Sequence, residues 1–311
     1  MDERATWLEP QAWARVLGVA ERGWRLDDVL TEDAALDFER PLLPESLTGA
    51  QALEFLEPAE ARTLGHIRAH GYLGLFGLVE EMILPFVLAH AELGPLDELD
   101  PVRALLRFAS EEAKHIALFR RFSRVFQRGF GRPVPLVGPA SAFVREVLAH
   151  SELGVALAVL HIEWMTQRHW LESVRGEAEL EPAFRRLLRH HWLDESGHAR
   201  LDALLVRQLA ANASRAGRER GVDDYLHIVA VLDGALAALV ELDRATLEAA
   251  IGRTLSARDA AQLQRRQHAA QRATFLSSGM THPRFIESLR EVAPDAPARV
   301  AVAERSLRAQ P

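Results

Sequence analysis

Long segments without strand-like alternation dominate this chain, and prolines mark where several of them begin. Pro58, Pro101 and Pro182 each suit the first turn of a helix, where the backbone amide has no intrahelical partner to lose. Four segments lack the alternation of apolar and polar residues that a half-buried strand requires. They cover residues 58–91, 101–128, 140–174 and 182–213. Four long helices with short and medium connections predict an all-α four-helix bundle.

Glycine and proline separate these segments. Gly94-Pro95 ends the first, a glycine- and proline-rich run over 129–139 ends the second, and Gly176 ends the third. Before the bundle, the sequence predicts an N-terminal arm with one or two short helices; after it, further flanking helices. We therefore expect three parts that together form one compact domain: an arm over 1–57, the bundle over 58–215 and C-terminal helices over 216–311.

Composition limits the chemistry that such a bundle can carry. The chain has 311 residues and a formal net charge of −7, which argues against a general nucleic-acid binder. It has no cysteine, which excludes disulfides, thiolate zinc sites, iron–sulfur clusters and cysteine nucleophiles. Any metal ion must therefore be held by histidine, aspartate and glutamate.

The sequence predicts neither secretion nor membrane insertion. Residues 1–4 include two acids, and no apolar signal core follows them. The most apolar run, residues 71–89, contains Glu80, Glu81 and Pro85, which favours a buried helix over a membrane span. We therefore expect a cytoplasmic protein with no membrane partner.

Two Glu-x-x-His sequences stand in the middle of predicted helices. Glu112 and His115 belong to the second long helix, and Glu195 and His198 belong to the fourth. A spacing of three places both side chains of a pair on one helical face, where a carboxylate and an imidazole can bind one metal ion. The chain contains only these two matches, and because both are central in a long helix they indicate a metal site.

The other two long helices should each supply one glutamate. The third offers Glu163, and the first offers Glu80 or Glu81. Glu80 precedes Glu112 by the same 32 residues that separate Glu163 from Glu195, and apolar residues surround Glu80 on its helix. These two observations favour Glu80. A proline later in the helix can kink it and shift its faces, so Glu81 stays the alternative.

The predicted ligand set fits a pair of metal ions. Four carboxylates balance the charge of two divalent ions, so the site can lie in a dry core. Oxygen and imidazole ligands favour two iron ions, with manganese or a mixed Mn/Fe pair as the alternatives.

The order Glu, Glu-x-x-His, Glu, Glu-x-x-His resembles the ferritin-like di-iron carboxylate proteins over residues 60–205. Asp194 resembles the aspartate of their DExxH form, which hydrogen-bonds a ligand histidine. His191 lies four residues before Glu195 and therefore on the same face. The resulting His-x3-Glu-x2-His is similar to the last helix of the p-aminobenzoate N-oxygenases, which implies a ligand role for His191. The resemblance implies a ferritin-like four-helix bundle with extra flanking helices.

Two positions bear on which protein of that type the chain resembles. Ribonucleotide reductase small subunits carry a radical tyrosine four residues after the first ligand histidine, where this chain has Phe119. Desaturases carry a threonine three residues after the third-helix glutamate, and Thr166 occupies that position. The first observation disfavours a reductase role, and the second keeps open a desaturase-like role with Thr166 as a catalytic residue.

The resemblance implies a di-iron oxygenase that activates dioxygen to oxidise a small organic substrate, with amine N-oxygenation as the nearest reaction. Such an enzyme needs an electron donor, which the sequence does not identify. The alternatives are a di-iron hydroxylase or desaturase-like enzyme, a ferritin-like protein that binds or oxidises metal without an organic substrate, and a helical interaction protein with a degenerate site. A substrate-sized pocket beside the metal site would favour an enzyme over a protein that only binds or oxidises metal. The sequence is also compatible with a homodimer.

Overall fold

The computed structural model describes residues 7–18, 23–91 and 99–309, and within these ranges the chain forms helices and no strand. The helices are α1 (Pro10–Leu17), α2 (Leu26–Val29), α3 (Glu45–Thr48), α4 (Pro58–Ala91), α5 (Leu99–Phe130), α6 (Ala140–Leu148), α7 (Glu152–Arg168), α8 (Pro182–Asn212), α9 (Arg215–Ile251), α10 (Ala257–Arg272), α11 (Ser278–Met280), α12 (Pro283–Val292) and α13 (Ala296–Ala309). Two π-helical segments, His169–Val174 and Ala273–Ser277, continue α7 and α10. The break predicted at Gly94-Pro95 lies outside the described residues.

Four of these helices form the bundle. α5 packs along α4, α8 packs along α7, and α5 also contacts α8. α9 lies against both α4 and α7 and covers that side, while α10 packs on α9 and α12 packs on α8. The structure therefore confirms the predicted class, an all-α four-helix bundle with extra flanking helices.

The arm before the bundle contains three short helices in its described residues, where the sequence predicts one or two. α1 and α2 both contact α5 and α8, and α3 contacts α4 and α10. The Trp13 side chain of α1 is completely buried. The arm therefore covers the side of the bundle where α5 meets α8.

The helix that supplies Glu80 is buried around most of its circumference. α4 is apolar on all sides, so it has no wide polar face to present to water. α4 and α9 are each long and apolar enough to cross a membrane by length and composition, but the most apolar window of α4 is 61% buried within the protein. Pro85 lies inside α4 on an exposed face, and the helix continues beyond it to Ala91.

The third long helix is interrupted, so the prediction of one helix over residues 140–174 is wrong. Residues 149–151 separate α6 from α7. The Ser151 hydroxyl caps α7 by accepting a hydrogen bond from the Gly154 amide, and the Ser151 amide donates to the Asp224 carboxylate of α9. These hydrogen bonds satisfy backbone groups that a continuous helix would otherwise pair. The spacing of apolar residues, on which the prediction rested, does not reveal such bonds.

A buried ion pair joins α4 to α9. Arg68 Nη1 lies 3.4 Å from Asp243 Oδ2, and the two side chains are only 1% and 2% exposed. Burial lowers the pKa of Arg68, and it raises the pKa of Asp243 to about 7 although the guanidinium beside it acts in the opposite direction. Each charge is therefore tolerated in the core mainly because the other is present.

Asp243→Ala should lower the free energy of unfolding by about 3–5 kcal/mol, because it leaves a buried guanidinium without its carboxylate. The control is Asp223→Ala on the same helix, whose carboxylate forms an ion pair with Arg299 and is 57% exposed; an exposed pair contributes at most about 1 kcal/mol. Denaturant unfolding measures both. Equal destabilisation by the two substitutions would contradict a structural role for the buried pair.

Candidate metal centre

All four bundle helices contribute to a cluster of seven buried ionisable side chains. The cluster comprises Glu80 of α4, Glu112 and His115 of α5, Glu163 of α7, and His191, Glu195 and His198 of α8. None of these side chains is more than 2% exposed. The structure thus brings together one predicted glutamate from each of the first and third helices with both Glu-x-x-His pairs and His191.

The two candidate glutamates of the first helix lie in different surroundings. Glu80 Oε1 is 3.0 Å from His191 Nε2, inside the cluster. Glu81 Oε1 is 2.7 Å from Arg120 Nη2, and its side chain is 31% exposed. The position of Glu80 therefore favours it over Glu81 as the ligand from α4.

Two compact groups of ligand atoms can be distinguished within the cluster. The first consists of Glu80, His115, His191 and Glu195, and the second consists of Glu112, His115, Glu195 and His198. Within each group, one ligand atom per residue lies within 4.8 Å of all the others. Since Glu195 belongs to both groups, its carboxylate is placed to bridge two ions.

Glu195 contacts histidines from both groups. Its Oε1 lies 2.7 Å from His191 Nε2 and 3.1 Å from His115 Nδ1, while its Oε2 lies 2.9 Å from His198 Nδ1. Glu163 also hydrogen-bonds Glu195 and lies within electrostatic reach of His198. This arrangement places Glu163 beside the second group, where it can serve as a terminal ligand.

Unsatisfied polar atoms in the cluster fit a pair of cations. Among the described residues, the buried atoms without a hydrogen-bond partner include Glu80 Oε2, Glu112 Oε1 and Oε2, His115 Nδ1 and Glu163 Oε2. Glu112 Oε1 does lie 2.8 Å from His198 Nδ1, but the geometry of that contact is not that of a hydrogen bond. Buried polar atoms are rarely left unpaired. Two divalent ions would supply their partners and balance four carboxylates.

The pKa shifts in the cluster have the directions expected of crowded buried carboxylates. Burial, followed by the nearby charges of Glu112 and Glu195, raises the pKa of Glu80 well above its usual value. Burial and the charge of Glu195 raise the pKa of Glu163 in the same way. Burial lowers the pKa of His115, but the nearby carboxylates of Asp194 and Glu195 outweigh it and raise this pKa to about 9. Because metal ligands must be deprotonated, cations bound here would compete with protons for these groups.

Each of the two motif histidines has an acidic partner on the opposite helix. His115 Nε2 donates to Asp194 Oδ2 at 3.2 Å, and His198 Nε2 donates to Glu111 Oε2 at 2.8 Å. Both partners directly precede the glutamate of the other Glu-x-x-His pair. Because each Nε2 carries the donated hydrogen, Nδ1 of each ring is left facing the cluster as the metal donor. The Asp194 contact agrees with the sequence prediction, whereas the matching role of Glu111 was not predicted.

Asp194 is held by two further donors. Lys114 Nζ, from the chain's single lysine, lies 3.0 Å from Asp194 Oδ2, and the indole of Trp24 donates to the same oxygen at 2.9 Å. The Trp24 ring also stacks on His115, with ring centroids 6.1 Å apart. Burial would raise the pKa of Asp194, but His115 and Lys114 outweigh it and hold this pKa at about 2. Asp194 is therefore a fixed anion that orients His115.

Asp202 is a second acidic residue that sequence reasoning missed. It lies one turn after His198 on α8, is 1% exposed, and its Oδ2 has no hydrogen-bond partner among the described residues. Burial raises its pKa well above the usual value, and the charges of Glu112 and Glu195 act in the same direction. Asp202 therefore lies at the edge of the cluster, where it can hold a proton.

Thr166 and Phe119 lie near the cluster with different surroundings. The Thr166 hydroxyl donates to the Ile162 carbonyl of its own helix at 3.0 Å, as buried helical threonines commonly do. A catalytic role for Thr166 stays a prediction, and it would require this bond to break. The Phe119 ring meets the His191 ring edge-on, with centroids 5.0 Å apart.

Asp194→Asn should weaken metal retention by roughly 10- to 100-fold, the usual effect of losing an outer partner of a ligand histidine, and leave the helical fold intact. The substitution keeps the shape of the side chain but removes the charge that fixes His115. Metal content after dialysis and circular dichroism measure the two effects. The matched variant is Asp223→Asn on the surface of α9, which should change neither. Unchanged metal retention in Asp194→Asn would show that Asp194 does not support the centre.

Comparisons with known proteins give structural likeness alone. No family model and no curated protein matches the chain. An R2-like ligand-binding oxidase with aerobically reconstituted Mn/Fe cofactor is 14% identical with a TM-score of 0.40, over 86% of this chain and 92% of that chain. A single-residue variant of an R2-like ligand-binding oxidase with aerobically reconstituted Fe/Fe cofactor is 15% identical with a TM-score of 0.41, over 96% of this chain and 91% of that chain.

Proposed function

We propose that this protein is a dioxygen-dependent di-iron oxygenase that oxidises a small organic substrate, with amine N-oxygenation as the first reaction to test. The observation that carries the proposal is a pocket that shares a wall with the metal centre. An oxygenase must hold its substrate next to the metal ions. A protein that only binds or oxidises metal has no use for an organic-sized pocket at that place.

The pocket lies between α4, α5 and the start of α6 and has a volume of about 370 Å³. This volume falls within the range of small-molecule sites, roughly 300–1,000 Å³. Its apolar lining residues include Leu73, Leu78, Ile116, Phe119, Leu136 and Val137. Gly77 also lines it, and a Cβ atom added there would come no closer than 3.9 Å to its nearest neighbour, Phe119. The absence of a side chain at Gly77 therefore keeps this space open.

Phe119 connects the pocket to the metal centre. It lines the pocket, and its ring also packs on His191 and, at a centroid distance of 6.4 Å, on His115. A substrate in the pocket would therefore rest against the ring that covers the His191 side of the cluster.

Five polar side chains line the pocket: His70, Glu81, Arg120, Ser123 and Arg124. His70 Nε2 and the Ser123 hydroxyl are 2.8 Å apart, and Arg120 pairs with Glu81 at the exposed end. Burial lowers the pKa of His70 to about 4, so this ring is neutral at physiological pH. The neutral His70–Ser123 pair beside the apolar walls can orient an aromatic amine by hydrogen bonds.

The seven cluster residues would hold the metal ions, and Phe119 with the apolar pocket walls would exclude water. Two iron ions, or a mixed Mn/Fe pair, would activate dioxygen once a donor has supplied two electrons. The resemblance of His191-x3-Glu195-x2-His198 to the p-aminobenzoate N-oxygenases makes an arylamine the first candidate substrate. Carbon hydroxylation and desaturase-like oxidation are the nearest alternatives, because the same pocket would accept their substrates.

Gly77→Leu should abolish substrate oxidation while leaving the metal centre filled. The added side chain would occupy the pocket next to Phe119, and misplacing a substrate by about 1 Å can already cost roughly 100-fold in rate. The assay mixes iron-loaded, chemically reduced protein with ¹⁸O₂ and an arylamine, and measures oxygen incorporation by mass spectrometry. The control is Gly234→Leu, at an exposed position of α9 with no neighbour within 4 Å of an added Cβ.

Three results would decide between the functions. Loss of oxygen incorporation in Gly77→Leu, with iron content equal to that of the control, supports the oxygenase and its pocket. Equal product formation in both variants would show that the substrate binds elsewhere. If the wild type consumes dioxygen but oxidises no amine or other organic compound, a metal-binding or metal-oxidising protein becomes the better account.

A further inference from the structure

A second group of metal-binding side chains lies at the surface, where α6 ends and α9 passes. His150 follows α6, and Asp224 and His227 lie three residues apart on one face of α9. One nitrogen of each histidine and one oxygen of Asp224 all lie within 4.8 Å of one another. His227 is exposed, and the other two residues are half-buried.

This surface group is separate from the cluster in the bundle. Asp224 packs against Gly154 at the start of α7, where an added Cβ would lie 2.6 Å from the Asp224 Cβ. Glu163 lies nine residues further along α7, which corresponds to roughly 13 Å at 1.5 Å per residue. The surface group therefore shares no ligand with the cluster, and its occupancy does not depend on the proposed oxygenase function.

We infer that His150, Asp224 and His227 form a binding site for one zinc ion. Two imidazoles and one carboxylate, completed by water, are a ligand set that zinc commonly adopts when three protein groups bind it. Imidazole-rich sites favour zinc and the neighbouring late transition metals over calcium or magnesium, which prefer oxygen ligands.

Two of the three ligands are already held in place. His150 Nδ1 lies 3.1 Å from the Glu146 carbonyl oxygen and 3.2 Å from that of Val147, so it carries the hydrogen and leaves Nε2 as the donor to a metal. Asp224 Oδ2 accepts from the Ser151 amide at 3.0 Å, which fixes the carboxylate beside His150. Metal-binding histidines typically donate their second nitrogen to a carbonyl or carboxylate in this way.

Only a small adjustment would close the site. Zinc binds nitrogen and oxygen at about 2.0–2.2 Å, so tetrahedral ligand atoms lie roughly 3.4 Å apart. The rings of His150 and His227 have centroids 6.2 Å apart, and rotation of the exposed His227 side chain can bring its nitrogen closer. The bound ion would then tie the end of α6 to α9, next to the Ser151–Asp224 hydrogen bond that joins the start of α7 to α9.

The test counts zinc on protein whose bundle site has first been loaded with iron. Iron and zinc are both measured after zinc titration and gel filtration, in the wild type and in His150→Gln, His227→Gln and Asp224→Asn. The wild type should bind one zinc ion more than each variant. Losing an outer partner already weakens metal binding roughly 10- to 100-fold, so losing a direct donor should reduce affinity at least as much. Zinc should also raise the melting temperature of the wild type but not of the variants.

Asp223→Asn is the matched control, because Asp223 is the neighbouring aspartate of α9 and forms an ion pair with Arg299 instead. It should bind zinc like the wild type. Equal zinc content in the wild type and His227→Gln would overturn the proposal, as would equal loss in Asp223→Asn and Asp224→Asn. Since the readout is the difference between variants, it remains decisive even if the bundle site fails to retain iron, a result that would count against the proposed oxygenase alone.

Discussion

The Glu112→Gln protein should lose at least one metal ion, yet in metal-free form it should be more stable than the metal-free wild type. Glu112 is fully buried, and both of its oxygens lack a hydrogen-bond partner among the described residues. A neutral amide is a poor metal ligand, but it costs less to bury than a carboxylate whose oxygens accept no hydrogen bond. The gain in the free energy of unfolding should be about 1–3 kcal/mol, the usual penalty for one unsatisfied buried group.

Metal analysis and denaturant unfolding, each with and without metal, measure these opposite effects. Glu81→Gln is the matched control, since Glu81 lies beside a cluster residue in sequence but pairs with Arg120 on an outer face. It should retain metal and change stability by about 1 kcal/mol or less. A Glu112→Gln protein that keeps its full metal content, or that is less stable than the wild type without metal, would contradict the role given to Glu112.

His191→Ala should preserve the bundle and at least one metal ion but reduce substrate oxidation by roughly 10- to 100-fold or more. His191 Nε2 lies 2.7 Å from Glu195 Oε1 and 3.0 Å from Glu80 Oε1, so its removal takes a neutral donor from the first ligand group. The space left beside Phe76 and Phe119, whose rings lie 5.1 and 5.0 Å from that of His191, is large enough to admit free imidazole. Added imidazole should therefore restore part of the activity.

The neighbouring histidine provides the control for this substitution. His190 meets Trp24 edge-on at a centroid distance of 5.6 Å and does not belong to either ligand group. His190→Ala should retain metal and oxidise the substrate at close to the wild-type rate. Full activity in His191→Ala, or equal losses in the two variants, would exclude a specific ligand role for His191.

Much of the candidate site could be predicted because a helix repeats at a fixed spacing. Glu112–His115 and Glu195–His198 share a face at a spacing of three, and His191 extends the second face by one turn. The third predicted helix offered Glu163, and the common separation of 32 residues then favoured Glu80 over Glu81. The structure places all of these residues in one cluster, although their ligand roles remain predictions until metal is measured.

Other parts of the site depend on contacts between helices and could not be predicted. Glu111 and Asp202 look like solvent-facing acids on their own helices, and only the packing of α5 against α8 shows that Glu111 contacts His198. The sequence did contain a signal for Glu111, because this acid directly precedes Glu112 just as Asp194 directly precedes Glu195. Lys114 of α5 reaches Asp194 through the same helix packing, whereas Trp24 reaches it because the arm folds over the bundle. The break between α6 and α7 could not be predicted from the spacing of apolar residues for the same reason. The Ser151 amide finds its hydrogen-bond acceptor, Asp224, on another helix, α9.

The central claim is that the cluster holds two metal ions side by side, and iron stoichiometry with the iron–iron distance tests it most directly. The protein would be loaded with ferrous iron without oxygen, freed of excess metal and studied by elemental analysis and X-ray absorption. We expect two iron ions per chain, roughly 3.5–4 Å apart as in other two-metal sites. Stoichiometry that stays at one or zero, or two ions without a short iron–iron distance, would contradict a paired centre built from Glu80, Glu112, His115, Glu163, His191, Glu195 and His198.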